Sequence, residues 1–200
     1  MSARRPTAEE SVALVLAAGE GDARAWEALV DAYMGLIWTI TRNHRLSASD
    51  AADVSQTTWL RLVEHLDALE DPRRVGAWLA TTARRECLRV IAGSGRQLLV
   101  PDTGPLSDKA QVHEPGVDAG LLAREEATQV QGALVGLSSR CQQLLQLLML
   151  DPPASYDEIS EAMGMPVGSI GPTRGRCLER LQGLLDAQGI SVPVRSVLGR

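Results

Sequence analysis

Residues 155–185 read SYDEISEAMGMPVGSIGPTRGRCLERLQGLL. Ser155 followed three residues later by Glu158 is a capping-box start, in which each side chain bonds the other's free backbone N–H. A first helix then runs to about Met163. Gly164 supplies the left-handed residue that ends it, and Pro166 blocks its continuation. A second helix starts near Val167 or Gly168. Stepped at about 100° per residue, Ile170, Cys177, Leu178, Leu181, Leu184 and Leu185 fall on one side, a core face. Ser169, Thr173, Arg176 and Arg180 form a narrow stripe on the other. Two helices around a tight turn, with hydroxyls and guanidinium forks in one row, suit a helix laid in the DNA major groove. An ordinary amphipathic helix with a solvated face has the same pattern, and this stretch alone leaves both readings open.

The remainder of the chain narrows the choice. Of its 200 residues 44% are apolar, enough for a core. Leu and Ala dominate and Phe is absent, so β-branched and aromatic runs of the kind strands use are few. The expected fold is all-α. Net charge is −5, carried against 19 Arg and one Lys, and it is unevenly distributed. Residues 48–71 hold Asp50, Asp53, Glu64, Asp67, Glu70 and Asp71 against Arg61, a net −5. Residues 72–96 hold Arg73, Arg74, Arg84, Arg85, Arg89 and Arg96 against Glu86, a net +5. A sign change between neighbouring segments suggests two different partners, and local distribution matters more than the sum.

Upstream, a short helix is expected over 8–18, broken at Gly19–Gly21. Asp22 caps a second helix, with Trp26, Leu29, Val30, Tyr33, Ile37 and Ile40 at helical spacing as its core side. Ser47 to Asp50 is another capping-type start. The helix that follows, DAADVSQTTWLRLVEHLDALED, reads through to about Leu69, with Trp59, Val63 and Leu66 as core side. Asp50, Asp53, Gln56 and Thr57 leave an acidic, amide-bearing patch on its first turns. Acids there favour the helix dipole, and the same patch could dock a basic surface. Pro72 opens the next helix, in the position proline prefers. Val75, Leu79, Ala83, Cys87 and Val90 fall on one side. Arg74, Trp78, Thr81, Arg85 and Arg89 line up on another, with Arg84 at its edge. Arginines interleaved with a Trp and a Thr suit single-stranded nucleic acid, because guanidiniums follow phosphates and flat groups stack on unpaired bases. A solvated basic face with Trp78 packed on the neighbouring helix is the alternative.

From Gly93 periodicity is lost in a Gly- and Pro-rich stretch that contains His113, an interdomain linker. Helix returns over 121–137, with Leu122, Val130 and Leu134 as core. Ser138 caps a largely apolar helix, SSRCQQLLQLLMLD, that stops at Pro152. The expected organisation is an N-terminal segment (1–21), a first helical domain (22–95), a flexible linker (96–120), a second helical domain ending in the helix-turn-helix (121–186) and a tail (187–200).

This layout resembles the sigma-70 family of bacterial RNA polymerase specificity subunits, in its small two-domain, extracytoplasmic-function form. DAADVSQTTWLRLVEHLD is similar to the family's region 2.2. That implies docking of Asp50, Asp53, Val54, Gln56, Thr57 and Leu60 on the clamp helices of the polymerase β′ subunit. VGAWLATTARRECLRVI is similar to regions 2.3 and 2.4, which implies contacts of Arg74, Trp78, Thr81, Thr82, Arg84, Arg85 and Arg89 with the −10 element, partly as melted strand. LSSRCQQLLQLLMLDPPASYDEISEAMGMPVGSIGPTRGRCLERL is similar to region 4, which reads the −35 element as duplex and touches the β flap. The matching positions are Ser169, Pro172, Thr173, Arg174 and Arg176, with Arg180 on the same stripe. Projection puts Arg174 on the core side, so it would snorkel toward phosphate. Gly171-Pro172 fits only a helix that begins close to Ser169, where proline is tolerated. Factors of this kind are commonly held by an anti-sigma partner, which no motif here identifies.

The implied function is that of a sigma factor directing promoter-specific initiation. A helix-turn-helix regulator whose N-terminal half senses a signal or dimerises is the competing class, and the acidic helix followed by the arginine–Trp helix favours the first. Catalysis is not expected. The sequence has no metal-ligand cluster, no phosphate-binding glycine loop and no nucleophile–base arrangement, and no cofactor is implied. Cys87, Cys141 and Cys177 are expected as buried thiols of a reducing compartment. The short apolar run at the N-terminus is flanked by acids, unlike a signal peptide or a membrane span, so a cytoplasmic protein without membrane insertion is expected.

Overall fold

A computed structural model describes residues 5–93 and 132–190. Its elements are α1 (Ala8–Gly19), α2 (Ala23–Asn43), α3 (Ala48–His65), α4 (Val75–Gly93), α5 (Ser139–Leu148), α6 (Tyr156–Met163) and α7 (Val167–Ala187). Short 3-10 turns span Leu66–Ala68 and Pro72–Arg74, and residues 132–135 are helical. No strand occurs among the described residues. The all-α class therefore holds, as the composition implied. The linker 96–120, His113, Leu122, Val130 and the tail beyond 190 lie outside the described residues.

Helix starts follow cap chemistry. Thr7 and Glu10 form a capping box at α1, the Glu10 carboxylate accepting the Thr7 N–H at 2.8 Å. Asp22 accepts the N–H groups of Arg24 and Ala25 at α2, and Ser47 accepts that of Asp50 at α3. At α6 Ser155 and Glu158 form the second capping box, with distances of 2.9 and 3.2 Å. Gly164 ends α6 at φ 60°, ψ 43°, the left-handed conformation expected of it. Each cap satisfies N–H or carbonyl groups that a helix end otherwise leaves unpaired.

The chain divides into two compact units. The first comprises residues 1–99 with 146–170 and the second 100–145 with 171–200. In the first, α2, α3 and α4 pack around Leu29, Leu36, Ile37, Ile40, Leu62 and Leu79, all fully buried. α6 belongs to this unit and lies along α4, burying Ile159 and Ala162. The grouping thus joins the first helix of the helix-turn-helix to the N-terminal helices. In the second unit Leu144, Leu145, Leu178, Leu181 and Leu185 form the core. The buried Gln142 there donates to the carbonyls of Val135 and Leu137. Ala133 and Leu137 take the buried positions, leaving Leu134 half-buried.

Three expectations are corrected. The seam of α3 is Ala51, Val54, Thr58 and Leu62. Val63 is 53% exposed, and Trp59 and Leu66 are half-buried. Thr58 can take a core position because its hydroxyl donates to the Val54 carbonyl at 2.8 Å, which removes the cost of burying it. Trp59 packs edge-on against Trp26 at 5.8 Å between ring centres. Second, α7 begins at Val167, so Pro172 lies inside the helix. It forgoes a bond to the carbonyl four residues back, one turn from the end. Third, Cys141 and Cys177 are joined by a disulfide linking α5 to α7, and only Cys87 is a free, buried thiol among the described residues. Burial holds the Cys87 thiol up at about 12.

Candidate nucleic-acid interface

The arginine face of α4 follows from one turn of helix after another. Arg74 is exposed, and its Nε lies 3.3 Å from Asp157 of α6. Trp78 is half-buried with its ring 6.1 Å from that of His65. The Thr81 hydroxyl lies 2.7 Å from Glu161 Oε2 and 3.0 Å from the Ala77 carbonyl. Thr82 and Arg84 are half-buried and Arg85 is exposed. The Arg84 guanidinium sits against the Gly164 turn, where a Cβ would come within 2.7 Å of Nη2. Arg89 donates twice to the Glu86 carboxylate, at 2.7 and 3.0 Å. Glu86 is buried, and Arg61 of α3 approaches it from the other side, Nε to Oε1 at 2.8 Å. Arg89 therefore belongs partly to a structural clamp, while Arg85 projects to solvent.

On α7 the expected stripe is accessible. Pro172, Arg176 and Arg180 are exposed, and Ser169, Thr173 and Arg174 are half-buried. The Ser169 hydroxyl donates to the Pro166 carbonyl at 2.7 Å, part of the turn itself. Arg176 Nη2 donates to the Thr173 hydroxyl at 3.3 Å. Opposite the stripe, Ile170, Cys177, Leu178, Leu181 and Leu185 are buried.

A separate surface runs along α3. Asp53, Gln56 and Leu60 are exposed, Asp50 and Thr57 half-buried. Leu60 is 56% exposed and Val63 beside it is the apolar residue that the sequence reading assigned to the core. Val54 is 2% exposed, in the core, and cannot present itself to a partner.

Sequence reasoning missed the acids that face α4. Glu158 was read only as helix-start chemistry, and Asp157 and Glu161 were given no role. Their spacing puts them on adjoining positions of one helix, opposite in sign to the row on α4, and that complementarity was the available signal. Glu158 is buried. Its carboxylate meets Arg5 at 3.3 Å, and Arg5 in turn lies 4.8 Å over the Tyr33 ring and donates to the Ala32 carbonyl. Burial pushes the Glu158 carboxyl above its ordinary value, against the pull of Arg5 and the capping bonds. Burial also raises the Tyr33 phenol beside it and, at a separate place, lowers His44. Gly76 makes this packing possible, since a Cβ there would meet the Glu158 carboxylate and come within 2.6 Å of the Tyr33 ring.

Among the described residues no group of three or more His, Cys, Asp or Glu side chains is placed to hold a metal ion, and no helix is long and apolar enough to cross a membrane. An arginine-bearing helix and a helix-turn-helix are elements that DNA-binding proteins of transcription use. Residues 29–97 match the family described as Sigma-70 region 2. Over 190 residues the chain is 26% identical to the probable RNA polymerase sigma-C factor of Mycobacterium bovis and to the ECF RNA polymerase sigma factor SigC of Mycobacterium tuberculosis. Each alignment covers 94% of this chain and 97% of the relative. The fold is similar to that of CnrH in its complex with the cytosolic domain of CnrY, with a TM-score of 0.54 and 21% identity over 89% of this chain and 98% of CnrH. Residues 29–97 thus carry a Sigma-70 region 2 domain, and the chain as a whole is similar to RNA polymerase sigma factors of the extracytoplasmic-function group.

Proposed function

We propose that this sigma factor recruits core RNA polymerase to promoters through two separate DNA contacts. The exposed stripe of α3, Asp53, Gln56, Thr57 and Leu60 with Asp50 at its start, docks on the clamp helices of β′. The α4 face then engages the −10 element, with Arg85 and Arg74 following phosphates and Trp78 and the threonines receiving unpaired bases, which assists melting. The helix-turn-helix reads the −35 duplex through Ser169, Thr173 and Arg176, with Arg174 and Arg180 on phosphates, and its domain meets the β flap. In this reading residues 22–95 and 121–186 act as the two promoter-contacting domains and 96–120 connects them. A protein inhibitor of the anti-sigma class is a further partner, in keeping with the CnrH complex.

The observation that carries this reading is the succession within residues 29–97, a stretch that matches sigma-70 region 2. An acidic and apolar exposed stripe on α3 is followed directly by an arginine face on α4. Run-off transcription with core polymerase over a promoter library tests it. Discrete transcripts that depend on this chain are expected, and a library that yields none removes the proposal.

A further inference from the structure

We propose that Cys141 and Cys177 form a redox modification site, opened by thiol reductants and closed by disulfide oxidants, whose state sets how firmly α7 is ordered. The consequence for DNA rests on the reading of the α7 stripe as the −35 contact. A chain that works on RNA polymerase meets cytosolic thiols, and the disulfides found among them are mostly transient or redox-sensing. The two sulfurs differ in access. Cys177 is 1% exposed, on the core face of α7. Cys141 is half-buried, in the first turn of α5 and next to the exposed Arg140. A helix N-terminus and a neighbouring guanidinium both favour an anionic sulfur. A thiolate of the reductant attacks Cys141 Sγ. The S–S bond breaks, and its electron pair leaves on Cys177 Sγ, which takes up a proton. A second thiol attacks the mixed disulfide and releases the Cys141 sulfur. Two electrons and two protons thus pass from the thiols to the pair, and the reductant leaves as its own disulfide. Oxidation by glutathione disulfide runs the same steps backwards.

The pair can open without the two helices parting. Leu144 and Leu145 of α5 and Leu178, Leu181 and Leu185 of α7 are buried in one core. With their Cα atoms 5.4 Å apart, the two thiols stay within reach of each other. A thiol behaves as a small apolar residue, so the buried place of Cys177 accepts it in the reduced state. What the bond adds is local. Gly171, Pro172 and Gly175 stand just ahead of Cys177, and glycine and proline are the poorest helix formers. A Cβ placed on Gly171 or Gly175 would meet open space. This stretch contributes little to its own helical form, and the disulfide is the covalent anchor beside it. Thr173, Arg176 and Arg180 lie within about a turn of Cys177. Reduction therefore lets this part of α7 fray. A frayed recognition helix must be ordered on binding, whereas an anchored one presents its donors preassembled. The oxidised chain is the better −35 reader.

The test begins by counting thiols. The full chain is equilibrated with excess reduced glutathione or with glutathione disulfide, then denatured, alkylated with a maleimide and weighed. With three cysteines in the chain, three adducts are expected in the thiol and one, on Cys87, in the disulfide. A pair that stays oxidised in excess reduced glutathione, as structural disulfides do, or that does not close again, overturns the proposal. Hydrogen exchange reads the consequence. Amides of residues 171–180 should exchange roughly tenfold faster in the reduced chain while those of α4 keep their rates, and equal rates in both states overturn the switch. Duplexes selected from a fluorescein-labelled random-sequence pool by the oxidised chain should bind the reduced chain roughly tenfold more weakly. Arg176→Ala should weaken binding by the oxidised chain as well. Cys141→Ser/Cys177→Ser should match reduced wild type under both conditions, with circular dichroism confirming that it stays helical. If Arg176→Ala weakens binding and the redox state does not, the coupling to DNA is overturned while the −35 reading stands. If neither state selects a duplex, the −35 reading fails, and adducts and exchange alone decide the redox site.

Discussion

Cys141 and Cys177 are joined across 36 residues of sequence, with their Cα atoms 5.4 Å apart, and the bond fastens the largely apolar α5 to the helix carrying the stripe of Thr173, Arg176 and Arg180. Closing a loop of that length restricts the unfolded chain, which contributes about 2–4 kcal/mol to stability. Urea unfolding of the Cys141→Ser/Cys177→Ser variant should therefore show a lower midpoint than the oxidised chain. Wild type in excess dithiothreitol should unfold with the variant. Coincident curves for oxidised chain and variant would refute the contribution.

That bond also marks a boundary of what the residues disclose. Projection orders side chains around one helix axis, and the core face of α7 emerges from it with Cys177 included. It cannot say which residue of α5 meets Cys177, because that depends on how two helices cross. Cap chemistry is more legible, since Asp22, Ser47, Ser155 with Glu158, and Gly164 act within a turn of themselves. The α3 seam was misjudged for a local reason. Thr58 counts as polar until its hydroxyl is seen bonded to the Val54 carbonyl, and that shifts the buried face from Val63 to Leu62. Contacts of α6 with α4 and Arg5 bring together residues far apart in the chain, and no periodicity carries them.

Glu158 should make the stability of the packed α6 depend on pH in an unusual direction. Its carboxyl is raised above the ordinary value of 4.5, chiefly by burial, while Arg5 and Ser155 lower it and Asp157 raises it further. The folded chain therefore holds this proton more tightly than the unfolded chain. Its favourable contribution is complete below 4.5 and is lost as pH rises through the raised folded value. Glu158→Gln keeps a capping acceptor without the charge. Across about pH 4 to 7 the stability of wild type relative to Glu158→Gln should fall as pH rises. Urea midpoints for the two proteins at a series of pH values measure this, and a constant or rising difference would contradict it.

Arg85 and Arg89 share a face but differ in what they hold. Arg85 is exposed, so Arg85→Ala should leave stability within about 0.5 kcal/mol of wild type. It should also reduce the salt dependence of oligonucleotide binding by about one counterion. Arg89 is 65% exposed but bonds the buried Glu86 twice. Arg89→Ala should cost stability as well, about 1 kcal/mol once solvent screening at its exposed end is allowed for. Urea unfolding of the two variants side by side separates them, and equal midpoints would show that the Glu86 clamp rests on Arg61 alone.

The α3 stripe makes a sharper distinction, because its residues divide by exposure within a turn of one another. Leu60 and Val63 are exposed apolar side chains flanked by Asp53 and Glu64, and nothing in the free chain depends on burying them. Leu60→Asp should leave the unfolding midpoint nearly unchanged and weaken capture of core polymerase by tenfold or more, about 1.4 kcal/mol, as for a residue at the centre of an interface. Asp53→Ala with Gln56→Ala should weaken capture in the same assay. Val54 is packed between helices, so Val54→Ala should cost about 1–3 kcal/mol of stability through the cavity it leaves. Once folded, that variant should capture core polymerase as wild type does. Capture that survives Leu60→Asp and the Asp53/Gln56 pair, yet fails in folded Val54→Ala, would place the docking surface elsewhere on the molecule.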